Sequence, residues 1–122
     1  AGRQAHALVC GRGERMKRLT QFSSLRDLTS DVAAVVLLSA AWCGPCKVIT
    51  PIFEKLSEDV RGVIFYYADI DEVPDLARVL DVRSVPFVVA ISDGAVRRAS
   101  PCGGWRKDKF LEWVRAAVPV LC

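Results

Sequence analysis

The run AAVVLLSAA at residues 33–41, followed directly by WCGPC at 42–46, is the stretch on which the fold turns. A short apolar run rich in Val and Leu reads as a strand buried on both faces, the usual place of a central strand in an α/β sheet. From Pro45 to Val60, the residues Ile49, Ile52, Phe53, Leu56 and Val60 follow the 3.6-residue period of an amphipathic helix. The two cysteines therefore fall where a strand hands over to a helix. Separated by two residues, they can form and break a disulfide within one turn, on a backbone kept tight by Gly44 and Pro45. The first thiol meets the unsatisfied N–H groups and the positive dipole end of the helix, which favour a thiolate. Thiolate is the attacking form, so the spacing makes Cys43 a candidate nucleophile. An inert buried pair and half of a zinc site remain alternatives on these residues alone. Zinc requires two further ligands at recognisable spacing, whereas the single His6 lies in a basic N-terminal stretch and Cys102 and Cys122 form no second tight pair.

Outward from this motif, Arg18–Phe22 reads as a short first strand. Ser23 or Ser24 then caps a brief helix whose Leu25, Leu28 and Val32 share a face. Val63–Ala68 is a further strand, and a helix is expected over Asp71–Leu80 with Pro74 near its first turn. Pro86–Ile91 and Ala95–Ala99, joined through Ser92-Asp93-Gly94, form a β-hairpin. A last helix over Arg106–Val118 aligns Phe110, Trp113, Val114 and Ala117 on one side. The order β-α-β-α-β-α-β-β-α predicts an α/β fold, a central mixed β-sheet flanked by helices on both faces.

The chain has 122 residues, enough for one domain with a substantial core. Its longest apolar stretch, 32–43 interrupted only by Ser39, is too short to span a bilayer, so no membrane role is expected. Charge is unevenly placed. Residues 1–22 hold five basic side chains against Glu14 alone, while the rest of the chain is nearly neutral, with twelve basic and thirteen acidic residues. That distribution gives no support to nucleic-acid binding beyond the tail. Residues 1–16 are expected to form a basic, flexible extension, and 17–122 the folded domain. The extension lacks the apolar core of a secretory signal and suits an organelle-targeting remnant, although it contains no serine. The five cysteines, at 10, 43, 46, 102 and 122, are odd in number and scattered apart from one pair. This usage favours a reducing compartment with one working dithiol. A mitochondrial location is the expectation, with the cytoplasm as the alternative.

At the motif Trp42-Cys43-Gly44-Pro45-Cys46 the chain resembles the thioredoxin family, and the match extends over roughly residues 17–118. Lys47 follows the second cysteine, Pro51 lies inside the helix, Gly94 sits in the hairpin turn, and Val85-Pro86 occupies the position of the family's cis-proline. The resemblance implies a thioredoxin fold and a protein disulfide reductase. Cys43 and Cys46 would be catalytic, with Trp42, Gly44 and Pro45 in support. Targets would pair with Val85 beside cis-Pro86 and pack near Cys102, a candidate third thiol in the loop 100–104. Trp42 and Trp105 would flank the active surface, with Trp113 in the core. No cofactor or metal is implied. The implied partners are disulfide-containing clients such as peroxiredoxins and an electron-donating reductase or low-molecular-weight dithiol, with the chain acting as a monomer. Three departures from the family pattern bear on turnover. Leu37 stands where the family carries a buried aspartate, and Tyr67 where it carries a neighbouring lysine; the family's tryptophan two positions on from the aspartate is Ser39 here. With no base at Leu37, Cys46 is expected to ionise less readily. A thioredoxin-like oxidase or isomerase and a non-catalytic binding module are the competing functions.

Overall fold

The computed structural model describes residues 13, 15–29 and 32–119. The strands are β1 (Lys17–Leu19), β2 (Ala33–Ser39), β3 (Val63–Asp69), β4 (Phe87–Ser92) and β5 (Ala95–Pro101). The helices are α1 (Leu25–Leu28), α2 (Gly44–Asp59), α3 (Pro74–Val79) and α4 (Lys107–Ala117). One five-stranded sheet runs in the order β1-β3-β2-β4-β5. β3 is parallel to both β1 and β2, and β4 is antiparallel to β2 and β5. All seven residues of β2 are buried at the centre of the sheet, as an uninterrupted apolar strand requires.

Because side chains alternate along a strand, β2 feeds two cores. Val35 and Leu37 face α2 and α4, where Phe53 packs edge-on against Phe65 and Phe110 with ring centroids 5.2 and 5.8 Å apart. Val36 and Leu38 face the other side with Leu28 of α1, Leu76 of α3, Val89 and Ile91. Each fully buried aliphatic or aromatic side chain contributes about 1.5–3 kcal/mol, so the two layers together hold the sheet in place and fix the start of α2 at the carboxyl end of β2.

Several boundaries differ from the sequence expectation, each for a local reason. β1 begins at Lys17 and stops at Leu19 instead of covering Arg18–Phe22, pairing only with Tyr66, Tyr67 and Ala68 of β3. α1 has four residues, so Val32 does not share its face; Ser24 is the cap, its hydroxyl accepting from the Asp27 N–H at 3.2 Å. α3 starts at Pro74 and not at Asp71, because Asp69 organises the preceding residues as a loop. Its carboxylate accepts from the Asp71 N–H at 2.8 Å and its carbonyl from the N–H groups of Glu72 and Val73 at 3.0 and 2.9 Å. The β4–β5 turn places both Asp93 and Gly94 at positive φ (54° and 75°), the backbone that a two-residue hairpin demands.

Three residues ahead of the expected domain start at residue 17, Gly13, Arg15 and Met16, touch α2. The Gly13 N–H donates to the Glu58 carbonyl at 2.7 Å, and the Met16 N–H to the Ser57 hydroxyl at 3.0 Å. Arg15 pairs with Glu54, and Met16 packs on the α2/α4 core. A Cβ at Gly13 would collide with the carbonyl oxygens of Ser57 and Val60, so only glycine fits there. Residues 1–12 of the expected extension lie outside the described residues.

Candidate active site

Cys43 is the N-cap of α2, and its sulfur accepts from the Cys46 N–H at 3.2 Å. This is one of the amide donors that a helix start leaves without an internal partner. The Cys43 N–H is itself held by the Ala40 carbonyl at 3.1 Å. Cys43 and Cys46 are joined as a disulfide, with Cα atoms 5.3 Å apart. They sit in a small apolar cluster with Ala40, Ile70 and Val85, and are 5% and 1% exposed. The Val85–Pro86 bond is cis, as the resemblance implies, and the Val85 carbonyl oxygen lies 3.9 Å from Cys43 Sγ. The Val85 N–H has no hydrogen-bond partner among the described residues.

Around the pair, Trp42, Gly44, Pro45 and Val48 face solvent. Trp42 is 68% exposed, and its indole Nε1 donates to the Asp71 carboxylate at 2.9 Å, tying the rim of the site to the loop before α3. Gly44 is not required by space or conformation, since a Cβ there would meet nothing within 4 Å and its φ is not positive. Such an arrangement can open and close one disulfide beneath a solvent-facing apolar rim.

Residues 17–116 match the thioredoxin family. The chain belongs to that family, and it is a dithiol–disulfide oxidoreductase. It is 40% identical to thioredoxin from Homo sapiens over 97 residues, covering 80% of this chain and 90% of the human protein. Among solved structures, Malassezia sympodialis thioredoxin superposes with a TM-score of 0.75 at 27% identity, over 89% of this chain and 95% of that one. A chain from a structure concerned with thiol resolution in a yeast mitochondrial 1-Cys peroxiredoxin via glutathione/thioredoxin systems gives a TM-score of 0.72. Its identity is 26%, and the match covers 83% of this chain and 94% of that chain.

Within this thioredoxin fold, the site gathers Trp42, Cys43, Gly44, Pro45, Cys46, Val85 and Pro86, but it does not gather the Cys102 thiol. Cys102 is 0% exposed and packs in the α2/α4 core. Burial pushes its thiol from the ordinary 9.0 up to about 12. The expectation of a third, accessible thiol at the target surface is therefore corrected: the side chain points inward, and only the backbone serves the site, the Cys102 N–H donating to the Pro86 carbonyl at 3.1 Å. Trp105 likewise turns to the core, its ring 5.0 Å from Phe110 and 5.9 Å from Trp113, instead of flanking the sulfurs. Leu37 is fully buried in the α2/α4 core, opposite Tyr67 in register.

Sequence reading missed Asp71 as the partner of Trp42, because the helix expected over Asp71–Leu80 starts at that residue, within the acidic group Asp69, Asp71, Glu72 and Asp75. In the structure the four carboxylates have separate partners. Asp69 caps the loop, Asp71 holds Trp42, Glu72 pairs with Arg18, and Asp75 pairs with Arg78. Val48 was also missed, although its place between Cys46 and Ile49 on an amphipathic helix puts it on the outer face.

Proposed function

We propose that this thioredoxin-family chain reduces protein disulfides, with Cys43 as the attacking sulfur and Cys46 as the resolving one. The observation that carries the reading is the position of Cys43 Sγ, capped by a helix N–H and set 3.9 Å from the Val85 carbonyl. The Cys43 thiolate attacks one sulfur of a client disulfide, forming a mixed disulfide and expelling the other client sulfur as a thiolate. Cys46 then attacks Cys43, releasing the second client thiolate and closing the Cys43–Cys46 bridge. The free N–H of Val85 and its carbonyl offer an extended client segment two backbone hydrogen bonds beside the sulfurs, while Trp42, Pro45 and Val48 supply apolar contact. A separate reductase or a low-molecular-weight dithiol returns the pair to the thiol state.

Clients that form disulfides during turnover, such as peroxiredoxins, fit this chemistry, and the likeness to the yeast chain from a peroxiredoxin resolution system supports them. The basic, acid-poor N-terminal composition supports a mitochondrial location, to be checked by the distribution of the full chain between fractionated compartments.

The test is insulin disulfide reduction with a chemical dithiol as donor. Wild type is expected to be active, Cys43→Ser inactive, and Cys46→Ser to accumulate a covalent adduct with the client. A wild-type chain that reduces nothing yet still binds clients after Cys43→Ser would sink the reductase reading in favour of a binding module. A reduction potential near −120 mV, in place of about −270 mV, would assign the chain to oxidation.

A further inference from the structure

Residues 95–117, which form β5, the loop after it and α4, carry six basic side chains against two acidic ones, whereas residues 13–94 carry nine against twelve. Of the six, Arg97 pairs with Asp93 at 3.8 Å and Lys107 with Asp59. Arg98, Arg106, Lys109 and Arg115 make no ion pair among the described residues. The two acids of the segment are not their partners: the Asp108 carboxylate accepts from the Lys109 backbone N–H at 2.9 Å, and Glu112 makes no ion pair among the described residues. Two of the unpaired cations lie on tryptophans. The Arg98 guanidinium sits 5.5 Å from the Trp113 ring centroid and the Lys109 ammonium 5.4 Å from that of Trp105, and the two rings are 5.9 Å apart. An aromatic face attracts a cation without neutralising it, so β5 and α4 together hold two exposed charges on one aromatic platform. A guanidinium stacked in this way keeps its N–H edge for a carboxylate. β5 is the outer strand of the sheet, yet it is a poor template for a further strand, because a bulge interrupts its pairing with β4 between Ala90 and Ile91 and Pro101 has no N–H to offer. Recognition at this face therefore falls to the side chains.

We propose that this β5–α4 face docks an acidic segment of a client protein, holding the client while its disulfide reaches Cys43. The inference rests on the reductase reading and deepens it by naming a substrate class. β5 runs from the aromatic platform to the site, where the Cys102 N–H donates to the Pro86 carbonyl at 3.1 Å. Arg98 precedes Cys102 by four positions, about 13 Å of extended strand, a span that roughly four to six client residues cover. A run of client carboxylates on Arg98 and Lys109 thus makes engagement of the disulfide intramolecular, which raises its effective concentration at the sulfurs without any new contact there. Trp113 is buried and Trp105 half-buried, each beneath its cation, which leaves little ring on which a nucleic-acid base could stack. Carboxylates are the anions that suit the arrangement. Exposed ion pairs are individually weak and are screened by salt, so the gain is a preference among clients and not a requirement for reduction.

The experiment compares two synthetic peptides that share one disulfide loop, followed after five residues by either four glutamates or four glutamines. The full chain reduces them with dithiothreitol as donor. At low ionic strength wild type should reduce the glutamate peptide with a kcat/KM roughly fivefold higher, the difference lying in KM. That preference should vanish in about 0.5 M salt. It should fall to about one in the double variant Arg98→Gln, Lys109→Gln, while the glutamine peptide is still reduced at the wild-type rate, which also reports an intact fold. Each single variant should give an intermediate preference, and the pair Arg98→Lys, Lys109→Arg should keep it, because the charges remain. No preference in wild type, or a preference that survives loss of both charges, overturns the proposal. A uridine-rich RNA oligonucleotide that binds this face more tightly than the glutamate peptide at physiological salt overturns it too, in favour of nucleic acid. Failure of the reductase reading looks different: neither peptide is then reduced, while titration of the chain with a cysteine-free glutamate peptide still reads the docking.

Discussion

Cys43 and Cys102 flank the same cis-proline and have opposite chemistry. Cys43 Sγ lies 3.9 Å from the Val85 carbonyl, while the Cys102 N–H reaches the next carbonyl, that of Pro86, at 3.1 Å. One sulfur caps a helix start beneath an exposed tryptophan; the other is packed among Phe110 and the rest of the α2/α4 core. Closeness to the site does not confer reactivity. What decides it is whether the sulfur meets donors that favour a negative charge or an apolar wall that opposes one.

The sharpest way to break this contrast is by activity. Cys43→Ser should lower disulfide reduction to background, at least a thousandfold, whereas Cys102→Ala should keep the wild-type rate in the insulin assay. Alkylation of reduced protein by iodoacetamide at pH 8, followed by mass spectrometry, should modify Cys43 more than a hundredfold faster than Cys102. Rapid labelling of Cys102 in the native protein would show that the core opens there. Cys102→Ser should cost about 2 kcal/mol in denaturant unfolding, because it places a hydroxyl in an apolar wall.

The pH dependence sharpens the same point. Folded Cys102 keeps its proton up to about pH 12, while the unfolded thiol loses it near 9.0. Its contribution to stability is thus complete below about pH 9 and is lost as pH rises towards 12. Subtracting the Cys102→Ala unfolding profile from that of wild type should isolate this decline. The smallest effect is expected at Gly44→Ala, which should alter stability by less than about 0.5 kcal/mol, since nothing lies where the methyl would go.

Much of the fold was legible because β2 and α2 carry uninterrupted periodic signals, and the motif between them marks the crossing point. The order of elements, the buried Trp113 and the cis-proline followed from those signals and from the resemblance they support. Cys102 was not legible. It follows the exposed strand β5, and counting along the chain from Pro86 locates its backbone but not the direction of its side chain. The start of α3 was misread because the acidic residues before it suit a helix N-terminus as well as they suit the loop that Asp69 ties. The docking of Gly13 and Met16 on α2 depends on Ser57 and Glu58, more than forty positions away, so no local pattern announces it.

That docked segment has a consequence for how the molecule can be attached to something larger. α2 has sixteen residues and is about 24 Å long. The sulfurs lie at one end of it, and Gly13 is fastened at the other. A fused domain, or a surface coupled through the chain ahead of Gly13, is tethered at the pole opposite the disulfide. The first fixed point of such a tether is thus about one helix length from the sulfurs, and does not crowd them.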